Sequence, residues 1–544
     1  MAWTNQLYFG DNLAVLRESI GDESIDLIYL DPPFNSQATY NVLFRAPTGE
    51  HSQAQIEAFE DTWHWENETA ERAFDEVMQS GNTNAAEMLR AMRSVLKEND
   101  LMAYLTMMTI RLLELHRVLK PTGNIYLHCD PTASHYLKIL MDAVFGLQQF
   151  RNEIIWKRTN ARSTPNRWPR MHDTLLFYSK SDAFLFRSMK VAADLAKLPH
   201  TLITGPDGKK YQTYELTGAG VTQEGQSGKP WHGFDPARFG RHWAQSHLQM
   251  NTWDELGFIH WPRAGSAGGF PRRRDENPFD PESRTITMGD VWADIDRINQ
   301  AAQERLGYPT QKPLALLERI LLASSRDGDT VLDPFCGCGS TIHAAQKLGR
   351  RWIGIDITHL AISLIEKRLN GVFPGIQYEV HGTPKDIAGA RDLADRNKYQ
   401  FQWWAVSLVD AVPYGGKKKG ADTGIDGMIY FKPDGKQTEK AIVSVKGGGH
   451  VSVDMIRTLG HVVDREQAKI GVFVTLTPPT GPMQVEAIKA GFYASPYHGN
   501  IAKIQICTIA ELFAGKKPII PFIDPTTFRR ARPENIAEQP QLFA

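Results

Sequence analysis

The sequence predicts an open α/β sheet with an insertion, followed by a second, smaller α/β module, and three observations carry that expectation. Short apolar runs that end on turn residues alternate with stretches whose apolar residues recur at helical spacing, the pattern of a parallel sheet covered by helices. The alternation stops between about 186 and 289 and then resumes. A further set of strands begins after a polar, charged stretch at 381–398.

The elements follow in order. Residues 25–34, Ile-Asp-Leu-Ile-Tyr-Leu-Asp-Pro-Pro-Phe, read as a short buried strand that stops at a proline pair. Leu101, Leu105, Met108, Leu112, Leu115, Val118 and Leu119 mark a helix. Pro121, Thr122 and Gly123 end it, and strands are expected at 125–128, 153–157 and 174–178. The stretch 186–289 is rich in Gly, Pro, Trp, His and Arg and has few periodic runs, so it reads as an insertion. Beyond it come a helix at 313–325, a strand at 330–332, a glycine-rich turn, a helix at 340–348, a strand at 352–355 and a helix at 359–369. The predicted division is 1–185 and 290–380 for the two parts of one sheet, 186–289 for the insertion, 381–398 for a linker, 399–515 for the module and 516–544 for a tail.

Composition is that of an ordinary globular protein, 42% hydrophobic and 23% charged, with a formal net charge of −1 over 544 residues. A uniformly basic nucleic-acid binder is excluded, so any DNA surface must be a local patch balanced by acid elsewhere. Four cysteines make no disulfide framework, and Cys336 and Cys338, one residue apart, lack zinc-site spacing. No secretory signal and no transmembrane run are seen, so a cytoplasmic protein is expected.

Two motifs carry chemistry. Residues 331–340, Val-Leu-Asp-Pro-Phe-Cys-Gly-Cys-Gly-Ser, lie between a strand and a helix, where glycines let the backbone approach a ligand and the helix N-terminus favours polar groups. Asp356 ends the next strand, where a carboxylate suits ribose hydroxyls. A nicotinamide dinucleotide is the rival ligand, but Ile342 stands where its third glycine belongs. The second motif, Asp31-Pro32-Pro33-Phe34, sits at the C-terminal end of a strand. A carboxylate and rigidly held carbonyls can accept hydrogen bonds from an amine, and Phe34 can stack on a base taken out of a duplex.

In this order the two motifs resemble the β-class DNA amino-methyltransferases, whose catalytic motif precedes the cofactor motif; the resemblance covers about residues 5–372. It implies a Rossmann-like sheet that binds S-adenosylmethionine and methylates adenine N6, or alternatively cytosine N4, in double-stranded DNA. Asp31, Pro32, Pro33 and Phe34 would be catalytic. Asp11, in Phe9-Gly10-Asp11-Asn12, would bind the cofactor together with Asp333, Phe335, Gly337, Gly339 and Asp356. Lys312, in Gly307-Tyr308-Pro309-Thr310-Gln311-Lys312-Pro313, would help close over its methionine end. No Pro-Cys pair supplies the nucleophile a cytosine carbon-5 enzyme needs. No metal is expected in this part of the chain. Arg158, Arg162 and Arg167, beside Lys157, Trp168 and Arg170, are candidate DNA contacts, as are Arg272, Arg273 and Arg274 in the insertion.

The module at 399–515 resembles a restriction-endonuclease-like domain of the Mrr type. Asp426, Ser444 and Lys446 occupy its possible nuclease positions, and Mg2+ would be its metal if it cuts. Ser444 replaces the usual acidic or amide residue, which favours a DNA-binding module over a nuclease. A methyltransferase with a DNA-binding module, a single-chain restriction–modification enzyme and a protein that has lost both activities are the competing readings. A homodimer or a separate restriction subunit would be further partners. The C-terminal Gln539-Pro540-Gln541-Leu542-Phe543 resembles a peptide that docks on the replication sliding clamp.

Overall fold

The apolar runs become the strands of a nine-stranded sheet in a computed structural model, which describes residues 3–33, 39–45, 51–60, 65, 68–160, 166–192, 202–222, 225–262, 269–279, 285–299, 302, 304–306, 308, 310–414, 424–434 and 436–521. Its strands are β1 (Asn5–Phe9), β2 (Ile25–Leu30), β3 (Leu119–Cys129), β4 (Phe150–Lys157), β5 (His172–Ser179), β6 (Val291–Trp292), β7 (Thr330–Asp333), β8 (Arg351–Asp356) and β9 (Tyr378–His381). They lie in the order β6-β4-β5-β3-β2-β7-β8-β1-β9. Helices cover both faces, which is why β2 is almost wholly apolar: Ile25, Leu27, Ile28 and Leu30 are fully buried. Each such side chain contributes roughly 1.5–3 kcal/mol. Asp26 is the exception in that strand, and its carboxylate accepts from Lys120 Nζ at 2.7 Å and from the Thr330 N–H at 2.9 Å.

The sheet is mixed, which departs from the parallel pattern expected. Among its strands β5 alone runs against its neighbours, antiparallel to both β3 and β4. Parallel neighbours need a crossover, usually helical. No helix lies among the described residues between β4 and β5, so the two pair directly. The helix read at 101–119 is α2 (Asp100–Val118), after α1 (Asn12–Ser19). The Pro121-Thr122-Gly123 segment lies within β3 rather than in a separating turn. The helices after the insertion include α3 (Leu314–Ser324), α4 (Ser340–Lys347) and α5 (His359–Val372).

Residues 188–288 form a compact unit of their own. Its core is aromatic rather than periodic: Leu216, Trp231, Trp243, Met250 and Ile259 are buried together, with Phe234, Trp253 and Phe270 packed against them. Arg272–Arg274 is a strand in a four-stranded antiparallel sheet, paired with Lys210–Glu215 and Ile259–His260.

The segment 381–398 is not a linker. A helix at Ile387–Arg396 buries Ala390, Leu393 and Ala394 in the core of the C-terminal module. The i, i+3, i+4 spacing of those three is helical, but the charged residues around them hide it. The next helix, α6 (Lys398–Leu408), leads into a sheet of β10 (Val412–Pro413), β11 (Gly427–Phe431), β12 (Glu439–Lys446), β13 (Ile470–Thr475) and β14 (Ile504–Thr508), in that order. Helix α7 (Val453–Arg465) covers one face, with Ile456, Leu459, Val462 and Val463 buried. Among the described residues no helix is long and apolar enough to cross a membrane. The clamp-like peptide lies outside the described residues.

Candidate active site

Register brings the two motifs together. β2 pairs with β7 and β8 pairs with β1, so the C-terminal ends of four parallel strands converge. Ligands bind at such ends in open α/β sheets. A cavity of about 270 Å³ opens there, and its walls include Asp11, Asp31, Pro32, Pro33, Lys312, Asp333, Phe335, Gly337 and Asp356. The residues read as catalytic and those read as cofactor-binding thus share one chamber. Phe34 and Arg162 lie outside the described residues.

Gly339 is the exception among the cofactor candidates, because it does not line the cavity. It caps α4 in the left-handed conformation at φ 75°, and a Cβ there would meet Ile365 Cγ1 at 2.8 Å. Its hydrogen is required by packing between turn and helix rather than by a ligand. Gly337 does line the cavity, and its N–H donates to Asp356 Oδ2 at 2.9 Å.

Asp356 has work besides any ligand. Oδ1 accepts from the N–H and hydroxyl of Thr358 at 2.8 and 2.9 Å. Burial pushes its carboxyl up to about 6, against the pull of the same hydrogen bonds. Asp333 is buried more completely, and burial pushes it up to about 7; its Oδ1 accepts from the Phe335 N–H at 3.0 Å.

Asp11 caps α1, accepting from the Leu13 N–H at 3.2 Å, and pairs with the buried Arg111 at 2.8 Å. Arg111 also donates to Asn12 Oδ1 at 2.6 Å, and Asn12 donates to the Pro334 carbonyl at 2.8 Å. Asn12 and Arg111 therefore tie the first motif to the glycine turn. Sequence reasoning missed Arg111, which sits inside an apolar helix and whose only signal was being a charge there.

The Asp31 carboxylate is the unusual group. Oδ2 contacts the Lys312 ammonium. Oδ1 is buried and has no hydrogen-bond partner among the described residues. Lys312, expected at the methionine end of a cofactor, is thus placed against the catalytic candidate. Behind Asp31, Tyr29 also lines the cavity, and its hydroxyl meets His128 Nδ1 at 2.8 Å. His128 Nε2 lies 3.3 Å from Asp173 Oδ2, and Arg158 Nε lies 3.2 Å from Asp173 Oδ1. Burial raises Asp173, but the His128 bond and the charges of Lys312 and Arg158 outweigh it and hold the carboxyl below its ordinary value. Tyr29, His128 and Asp173 were not singled out as site residues, although 123–130 and 172–180 resemble family segments beside the target pocket and the target-recognition region. Each is buried, and their convergence depends on strand order.

The basic stretches differ. Trp168 is 91% exposed between Arg167 and Arg170, and Arg170 donates to Thr132 Oγ1 at 3.2 Å. Arg272, Arg273 and Arg274 are half-buried and engaged within their own unit. Arg272 donates to Thr213 Oγ1 at 2.9 Å. Arg273 and Arg274 lie over the rings of Trp253 and Tyr211, each at 4.6 Å. Alternation along a strand turns them onto neighbouring aromatics instead of leaving them on a solvated loop.

In the C-terminal module Asp426 is committed to the fold. Oδ2 accepts from the Val445 N–H at 2.6 Å and from Ser444 Oγ at 3.4 Å, and Oδ1 accepts from the Gln402 amide of α6. Among the described residues no cluster of three or more His, Cys, Asp or Glu could hold a metal. Asp422 lies outside them.

Strand order, a glycine turn and a carboxylate–proline segment opening into one chamber define an α/β group-transfer enzyme. A DNA methylase family profile matches residues 25–367, and the chain belongs to that family. A restriction endonuclease profile matches residues 395–491, and the C-terminal module has a restriction-endonuclease-like fold. The chain is 28% identical over 366 residues to the type II methyltransferase M.EcaI of Enterobacter cloacae, covering 67% of this chain and 69% of that one. It is 44% identical over 95 residues to the DNA adenine methyltransferase YhdJ of Escherichia coli strain K12, covering 18% of this chain and 32% of that one. The crystal structure of the M1.HpyAVI–SAM complex matches 67% of this chain and 98% of that one at 14% identity, with a TM-score of 0.30.

Proposed function

We propose that this DNA methylase transfers the methyl group of S-adenosylmethionine to N6 of adenine in double-stranded DNA, at a specific sequence. The observation that carries the reading is Asp31 Oδ1 on the cavity wall, a buried acceptor with no donor among the described residues. Such an atom costs roughly 1–3 kcal/mol unless a ligand satisfies it. An exocyclic amine supplies the missing N–H. Accepting that bond draws the nitrogen's lone pair out of conjugation with the ring. Pro32 and Pro33 have no N–H, so their segment presents carbonyls and no competing amide donor to the amine.

The remaining walls suit the cofactor. Asp11, Asp333 and Asp356 offer carboxylates to hydroxyls and to an ammonium, while Phe335 and Ile357 offer apolar faces. When bound, the cofactor supplies an electrophilic methyl group on a sulfonium. Lys312 holds Asp31 in place and gives the carboxylate a positive neighbour. Phe34 would stack on the flipped base, and Arg158, Arg167 and the exposed Trp168 would meet the duplex. The adenine assignment draws support from the name of the YhdJ relative and from the aspartate that opens the proline motif. Digestion of DNA after transfer from labelled cofactor tests it: label in N6-methyladenine is the expected product, and label in N4-methylcytosine would replace the reading with its alternative.

The C-terminal module we read as a DNA-binding element without metal-dependent cleavage. The support is the Asp426 carboxylate, which receives three donors from Gln402, Ser444 and Val445 and leaves little of itself for a cation.

A further inference from the structure

The C-terminal module packs behind the methylase cavity through α6 and β10. On α6, the Gln400 side chain accepts from the His359 N–H at the start of α5, at 3.2 Å. Three positions on, Trp403 is 6% exposed and shares one buried cluster with Tyr308, Cys338, Leu360, Leu364 and Val412. Tyr308 and Cys338 are also walls of the cavity. Phe9, which precedes the cavity residue Gly10, stacks on His359 with ring centroids 3.6 Å apart and packs against the core of the module. Three wall segments, at Phe9–Gly10, Tyr308 and the glycine turn, therefore have the C-terminal module behind them. The fit is tight, since a Cβ at Gly337 would meet the Tyr308 ring at 3.2 Å.

We propose that the C-terminal module is the outer wall of the S-adenosylmethionine site and that Trp403 is a positioning residue for cofactor binding. The inference rests on the reading of the cavity given above. Closely packed walls do not hold their shape over a void, and the loss of an indole draws the neighbouring side chains toward the gap. Tyr308 and Cys338 are those neighbours, so the cavity loses its form where the ligand needs it. The coupling is reciprocal: a ligand that fixes Tyr308 and the glycine turn also fixes α6. Gln402, on the same helix, holds the Asp426 carboxylate, so the order extends to the centre of the module.

The test uses the full chain in four forms: parent, Trp403→Ala, Trp403→Phe, and Ile456→Ala, which truncates a buried residue in the separate cluster beneath α7. S-adenosylmethionine is titrated by calorimetry, and methyl transfer is followed at varied cofactor. Trp403→Ala should raise both Kd and KM for the cofactor about tenfold, equivalent to about 1.4 kcal/mol. Its kcat at saturation should stay near that of the parent, Trp403→Phe should recover most of the affinity, and Ile456→Ala should bind as the parent does. In the parent, amide exchange along α6 should slow when cofactor is added. If Trp403→Ala does not fold, the parent's α6 exchange decides. A parent that binds cofactor while a folded Trp403→Ala binds it as tightly, or while α6 exchange does not change, overturns the wall. A parent that binds no cofactor overturns the reading of the cavity as well.

Discussion

Two buried carboxyls on one wall respond to pH in a direction fixed by their surroundings. Burial pushes Asp333 up to about 7 and Asp356 up to about 6, both above the ordinary aspartate value. The native state therefore holds protons that the unfolded chain releases between about pH 4 and 7. Unfolding releases protons in that window, so these groups favour the native state below it and lose that contribution as pH rises through it. The free protein should accordingly become easier to melt as pH climbs from 4 to 7, and Asp333→Asn should flatten that fall. Melting curves that are no steeper in pH for the parent than for Asp333→Asn would refute the burial account. Much at this scale was legible in the sequence: Asp31, Asp333 and Asp356 all line the cavity. Their partners were not, because the contacts of Lys312 with Asp31 and of Arg111 with Asp11 join positions 281 and 100 residues apart.

Elements were read well where apolar periodicity was strong and poorly where local charge masked it. The helices α3, α4 and α5 and the strands β7 and β8 fall where the pattern put them. The Ile387–Arg396 helix was missed because its buried stripe is narrow and flanked by Asp, Arg and Lys. Its packing makes a prediction that a linker would not. Leu393→Ala should destabilise the C-terminal module by about 2–4 kcal/mol, the cost of a Leu-sized cavity, as read by denaturant unfolding. A change within error would return the segment to a tether. Direction within the sheet was equally hidden, since β5 is antiparallel with no helix among the described residues between β4 and it. The same scale governs the module's chemistry. With Asp426 held by Gln402, Ser444 and Val445, plasmid incubated with magnesium or manganese should stay uncut, with and without cofactor. Nicking or cutting that disappears in Asp426→Ala and Lys446→Ala would make the chain a restriction–modification fusion.

At the scale of the whole molecule, one sheet gathers both motifs into a single chamber. The Asp31 carboxylate comes from the end of β2 and the glycine turn from the end of β7, neighbours in the sheet but some 300 residues apart in the chain. Residues 188–288 interrupt the chain between them without interrupting the sheet, because they bury their own aromatic core. The central claim is that Asp31 acts on the target amine and not on the cofactor. The most direct measurement is transfer of tritiated methyl from S-adenosylmethionine to DNA by the parent and by Asp31→Asn, with cofactor affinity taken on the same samples. The account predicts a fall in kcat of at least about a thousandfold, in keeping with the loss of a group that acts in the transition state, with cofactor Kd within a few-fold of the parent. Substantial turnover by a folded Asp31→Asn protein, or a loss of activity that follows entirely from lost cofactor binding, would contradict it.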